Sequence, residues 1–194
     1  MPIGLKQTTA PTSEPLTLTQ VKTHLRVDGS DDDAELTLLL SAARAHVESR
    51  TNRQLMQATY QMTFDRWPAG GVATLRMPPL LSVTSVTYYD ESAVSQTLSA
   101  SKYHVDTASE PGRIVLDDGE SWPALDVRPA AATITFVAGV ASADDVPDAA
   151  KLATLQLVGH WFENREAIAF GGNPVELPHA VEALINQIKV PELS

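Results

Sequence analysis

The period of the apolar residues changes twice along this chain, and those changes restrict the folds open to it. Leu36, Leu39, Leu40, Ala43 and Val47 recur at i, i+3, i+4, i+7 and i+11, which puts them on one side of a helix. From Ala58 the period drops to two: Tyr60, Met62 and Phe64 alternate with Gln61, Thr63 and Asp65, as in a half-buried antiparallel strand. After Pro147 the helical period returns in Leu152, Leu155, Val158 and Phe162. Neither an all-helical nor an all-strand fold accommodates both periods. The fold class expected is α+β: N-terminal helices, a central antiparallel β-sandwich or small barrel, and C-terminal helices.

Boundaries follow from local chemistry. Residues 1–15 hold three prolines among Thr and Ser and read as a flexible or extended N-terminal arm. Thr17-x-x-Gln20 fits a capping box, so a first helix is expected over 17–27, with Leu18, Val21 and Leu25 on one face. Asp28-Gly29-Ser30 turns the chain. A second helix is expected over 31–51, with Asp31, Asp32, Asp33 and Glu35 at its positive N-terminal end and Arg44 and Glu48 on its solvated face. The β region spans 58–138, in short pieces at 74–76, 83–89, 103–106, 113–116 and 133–137. A helix over 147–166 follows, Pro147 suiting its first turn. The parts are thus an arm (1–15), one domain (16–170), and a break at Gly171-Gly172-Asn173-Pro174 leading into a last helix from about Pro178, together 171–194.

One shared core is expected from Leu36, Leu39, Leu40, Ala43, Val47, Leu152, Leu155, Val158 and Phe162. The last helix carries Val181, Leu184, Ile185 and Ile188 on one side, the spacing a helix uses to lie in a partner's groove.

The residues offer little chemistry. There is no cysteine, which removes thiol nucleophiles, disulfides and thiolate metal sites. Histidines stand at 24, 46, 104, 160 and 179 without an HExxH. His160 and Glu163 have the i, i+3 spacing of a helical metal pair, but a lone His beside Trp161 reads as a packing residue. The acidic run from Asp28 to Glu35 fails the EF-hand pattern and reads as helix capping. GxSxG, SxxK, Walker A and GxGxxG are all absent. Asp117-Asp118 and Asp144-Asp145 read as turn residues. No catalytic, cofactor-binding or metal-binding residue is therefore assigned. No apolar stretch reaches the ~20 residues of a membrane span, and the N-terminus does not read as a signal peptide. With 14 Lys and Arg against 24 Asp and Glu, the net charge of −10 disfavours gripping nucleic acid or anionic membranes.

Several strings nonetheless carry a resemblance. PLTLTQVKTHLRVD (15–28), PPLLSVTSVTY (78–88), SEPGRI (109–114), SWPA (121–124), FVAG (136–139) and LVGHWFENREA (157–167), then Leu177-Pro178 and a final apolar helix, occur in this order over nearly the whole chain. In that order they resemble the head–tail connector (adaptor) proteins of tailed phages, a part also found in gene transfer agents. Phe162 stands where the resemblance leads one to expect Tyr.

The resemblance implies a non-enzymatic virion component at the head–tail junction, made in the bacterial host cytoplasm. It implies a ring of about twelve copies docked under the portal protein, which extends the channel for passing DNA and offers a platform to the next neck, stopper or tail-terminator protein. It implies no cofactor and no membrane, and portal docking by the last helix through Val181, Leu184, Ile185 and Ile188. The alternatives are another neck or tail-completion ring protein, or a hydrolase with an unrecognised carboxylate pair.

Overall fold

A computed structural model describes residues 3–164 and 179–191. The chain divides into two compact units. One is built from the described residues up to Thr12 together with Gln57–Val140. The other is built from Ser13–Met56 together with the described residues from Ala141 onward. The helical unit is thus interrupted in sequence by the β unit. This differs from the expected arm, 16–170 domain and 171–194 segment, because the chain leaves the helical unit after Met56 and returns to it at Ala141.

The helical unit contains α1 (Leu18–Leu25), α2 (Asp33–Thr51), α3 (Asp148–Glu163) and α4 (His179–Ile188). The capping box forms: Gln20 N–H donates to Thr17 Oγ1 at 3.2 Å, and Thr17 N–H donates to Gln20 Oε1 at 2.8 Å. Asp32 stands at the N-cap of α2 without a side-chain cap bond, so the acidic first turn acts through the helix dipole. Asp33 also pairs with Lys22 of α1 at 2.6 Å. Asn52, at φ 54°, ends α2 in the left-handed conformation that asparagine tolerates. α3 begins after Pro147, and its last residue falls at Glu163.

Four expectations change here. First, the buried side of α3 is Ala150, Ala153, Thr154, Leu157 and Val158, while Leu152 is 42% exposed and Leu155 and Phe162 are only half-buried. The helix is apolar on several sides, so counting every third or fourth apolar residue selected a stripe one register away. Second, Leu39 is half-buried and Leu36, Leu40, Ala43 and Val47 carry the core face of α2.

Third, Arg44 and Glu48 are not on a solvated face. Both are buried, with Arg44 Nη1 2.7 Å from Glu48 Oε2 and Arg44 Nε 2.7 Å from Glu14 Oε2. Glu48 Oε1 accepts from Gln54 Nε2 at 2.7 Å and from Leu55 N–H at 3.1 Å, so the buried carboxylate is fully engaged.

Fourth, α4 belongs to the helical core and does not stand apart from it. Val181 and Ile185 are buried, Leu184 and Ile188 half-buried. Just beyond α4, Val190 N–H donates to Thr51 O at 2.8 Å and Val190 O accepts from Asn52 Nδ2 at 3.1 Å. Arg53 Nε donates to Ile188 O at 3.3 Å. One of the orphan carbonyls at the end of α2, Thr51 O, is thus met by Val190. The Gly171–Pro174 break lies outside the described residues.

The β unit holds β1 (Ile3–Thr9), β2 (Ala58–Phe64), β3 (Val72–Thr74), β4 (Leu80–Tyr89), β5 (Ser95–Thr97), β6 (Tyr103–Asp106), β7 (Arg113–Leu116) and β8 (Ala132–Ala138). They form a five-stranded sheet, β1-β2-β8-β4-β5, and a three-stranded sheet, β3-β7-β6, all pairs antiparallel. Tyr60, Met62, Phe64, Val86, Ile134 and Phe136 of one sheet share a core with Ala73, Tyr103 and Ile114 of the other. The two sheets stay open, so the arrangement is a sandwich and not a closed barrel.

The N-terminal arm is also revised. Residues 3–9 are extended but paired: β1 lies along β2, Leu5 opposite Met62 and Gln7 opposite Tyr60. Its partner lies more than fifty residues away in sequence, and β1 has little apolar alternation of its own, so local pattern could not disclose it. The segment expected as a strand at 74–76 forms β3 at Val72–Thr74 instead.

Several of the quoted strings meet inside this unit. Gly139 N–H donates to Pro79 O at 2.9 Å, which joins FVAG to PPLLSV. A Cβ on Gly112 of SEPGRI would fall 2.4 Å from Leu80 Cβ, so only glycine fits there. Trp122 of SWPA stacks on Trp67 with ring centroids 4.3 Å apart.

Candidate functional site

The helical unit has one cleft to which the most distinctive strings contribute. α1 ends with His24, Leu25 and the following Arg26, out of the string HLRVD. α3 supplies Gln156, Gly159, His160 and Glu163, mostly from LVGHWFENREA. Ala180 of α4 completes the lining of a space of about 610 Å³.

Local structure explains how each side chain arrives there. Arg26 is the C-cap of α1 at φ 57°, ψ 39°, and its N–H bonds back to Lys22 O and Thr23 O, with Val27 N–H to Lys22 O at 3.1 Å. That left-handed conformation usually belongs to glycine or asparagine and costs an arginine about 1–2 kcal/mol. Glycine would cap the helix with less strain, but it would remove the guanidinium from the cleft. Gly159 forms the floor: its missing side chain lets α3 pass close to Leu25. His160 lies in the last turn of α3 and His24 in the last turn of α1, where helix dipoles favour positive charge.

The polar groups point to recognition. His24 and Arg26 are exposed, and His160 is half-buried. Gln156 Oε1 is buried and has no hydrogen-bond partner among the described residues. A group left in this state costs about 1–3 kcal/mol until something donates to it. Nearby, His46 of α2 meets Trp161 edge-on with centroids 5.9 Å apart, and its Nε2 is buried without a partner among the described residues. Burial, then Arg50, lowers its pKa.

Among the described residues, Glu163 is the only carboxylate lining the cleft. His160 and Glu163 both line the cleft. Among the described residues, no three His, Asp or Glu side chains are grouped to hold a metal ion. Among the described residues, no helix is long and apolar enough to cross a membrane.

The docking residues expected on the last helix are not in this cleft; only their neighbour Ala180 is. In the sequence HLRVD and LVGHWFENREA stand far apart. No local pattern brings them together, because the β unit lies between α1 and α3 in sequence.

Comparison with known proteins gives a consistent picture. A family model described as head completion protein matches residues 14–188. Among solved structures, a chain of the virion of a native gene transfer agent particle aligns at 25% identity and a TM-score of 0.78, covering 98% of this chain and 97% of that one. Chains of the neck of a native particle, computed with C12 symmetry, and of an empty particle, computed with C6 symmetry, align at 24% identity with TM-scores of 0.77 and 0.76 and the same coverage. A search of curated proteins finds no match.

Proposed function

Because the chain belongs to the head completion protein family, we propose that it is a structural component of the head–tail junction of a phage or gene transfer agent particle. On this reading about twelve copies form a ring under the portal protein, extend the path of the DNA, and carry the next neck or tail protein. It performs no catalysis. The observation that carries the reading is the end-to-end likeness: the family model covers 14–188, and the matched gene transfer agent chains are covered over 97% of their own length.

The cleft of His24, Arg26, Gln156 and His160 is assigned the role of a docking site for a neighbouring virion protein. An arginine kept in a strained backbone conformation and a buried amide oxygen without a donor among the described residues both call for an external partner. Portal docking by α4 is retained in a narrower form. Val181 and Ile185 hold the helix in its own unit, and the half-buried Leu184 and Ile188 are the residues left to face the portal.

Electron microscopy of the purified protein with its portal tests the assignment. A ring seated at the narrow end of the portal is expected, and Leu184→Asp should release it without unfolding the chain. Failure of the parent protein to bind portal under conditions that assemble necks would refute the proposal.

A further inference from the structure

The outermost strands of the five-stranded sheet, β1 and β5, are both open to solvent. β5 (Ser95, Gln96, Thr97) is exposed throughout, and β1 is exposed from Lys6 to Thr9. Every neighbouring pair across the sheet is antiparallel. An odd number of strands, five, therefore leaves β1 and β5 running in the same direction on opposite edges.

We infer that β1 of one copy adds in parallel to β5 of the next, so that the sheets continue from subunit to subunit. This rests on the ring reading above. In a ring of about twelve copies each step turns the subunit by about 30°, too little to reverse a strand, so like-directed edges meet as parallel neighbours. A ring needs two different, complementary patches on each copy, and opposite edges of one sheet supply them.

Charge and spacing agree with this occupant. Lys6 is the single charged residue of β1. The turn leading into β5 carries Asp90 and Glu91. Asp90 is taken up by Gln96, Ser92 and Val94, whereas Glu91 pairs with nothing among the described residues. β1 keeps a regular register with β2 from Ile3 to Gln7 and shifts between Gln7 and Thr9. The regular stretch is long enough for the three residues of β5. The shift and the lysine blunt the edge against indiscriminate pairing.

The chain's lack of cysteine makes the test clean. Gln7 opposes Tyr60 and Gln96 opposes Tyr88, so both lie on the core-side face of the sheet, and both are exposed at its edges. The double variant Gln7→Cys/Gln96→Cys, assembled and treated with a short bismaleimide, should give a ladder of covalent multimers up to ring size. Each single variant should stay monomeric on a denaturing gel. Lys6→Glu and Glu91→Lys should each abolish rings at a concentration where the parent assembles, and the two together should restore them. Rings without a ladder, or single charge reversals that assemble like the parent, overturn the strand pairing and leave the ring reading standing. Absence of both rings and ladder, even with portal present, counts against both.

Discussion

A Cβ built on Gly159 would lie 3.3 Å from Leu25 Cδ2, so α3 crosses α1 at a distance set by the missing side chain. The neighbour is the flexible end of a leucine and can yield a little. Gly159→Ala should therefore be close to neutral, since the helix gains about 0.5–1 kcal/mol from replacing glycine. Gly159→Leu should cost about 1–3 kcal/mol by overpacking. Urea denaturation separates the two. A leucine variant as stable as the parent would show that α1 is not held against α3.

The buried Arg44–Glu48 pair gives a second expectation. Removing one partner of a buried ion pair strands the other, at a cost of about 3–5 kcal/mol. Glu48→Ala should approach that range, because Gln54 and Leu55 lose their acceptor as well. Arg44→Met combined with Glu48→Met should cost less than Glu48→Ala alone. If both variants melt with the parent, the pair contributes no specific constraint.

Acid should weaken the two units in separate windows. Asp106 is held down to about 2 from an ordinary 3.8, first by the Ser109 hydroxyl, then by Ser109 N–H and Arg113. Its ionised form stabilises the fold above pH 3.8, and that contribution disappears as pH falls through about 2. His46, lowered from 6.5 by burial and then by Arg50, favours its neutral form. Its contribution is present above pH 6.5 and is lost as pH drops through the depressed value. Glu48 has the opposite sign: burial raises its pKa against the pull of Arg44, so its contribution falls as pH rises through the raised value. Melting temperatures should become less pH-dependent between 7 and 5 in His46→Phe, and between 4 and 2 in Asp106→Asn. Parent-like profiles in both variants would contradict these assignments.

The revised faces of α3 and α4 can be tested by truncating side chains. Leu157→Ala and Ile185→Ala should each cost about 2–5 kcal/mol, while Leu152→Ala should stay within about 0.5 kcal/mol. Equal losses at 152 and 157 would reject the register described for α3.

Elements whose signal is local were readable from sequence. The Thr17–Gln20 box, the end of the second helix at Thr51, and the strands at Ala58–Phe64, Tyr103–Asp106 and Arg113–Leu116 all follow from neighbouring residues. What depended on distant partners was not readable. β1 needs β2 to be a strand at all. Arg44 and Glu48 appear solvated until Glu14, Gln54 and Leu55 close around them. α3 is apolar on too many sides for a period to choose its face, and its packing against α1 and α2 decides instead. The cleft was present in the sequence only as two strings, and the fold supplied their adjacency.

The split of the helical unit into two stretches has a consequence during synthesis. α1 and α2 emerge from the ribosome well before α3 and α4, and the C-terminal end of α2 lacks its partners at Ile188 and Val190 until those residues are made. The β unit, from Gln57 to Val140, has all its strands as soon as its own stretch is out, β1 having come first. Vectorial folding should therefore finish the sandwich while Val21, Leu36 and Val47 are still uncovered. A nascent chain stalled near residue 150 would hold a protease-resistant β core beside cleavable helices. The cleft to which HLRVD contributes would form only once α3 and α4 had been made as well.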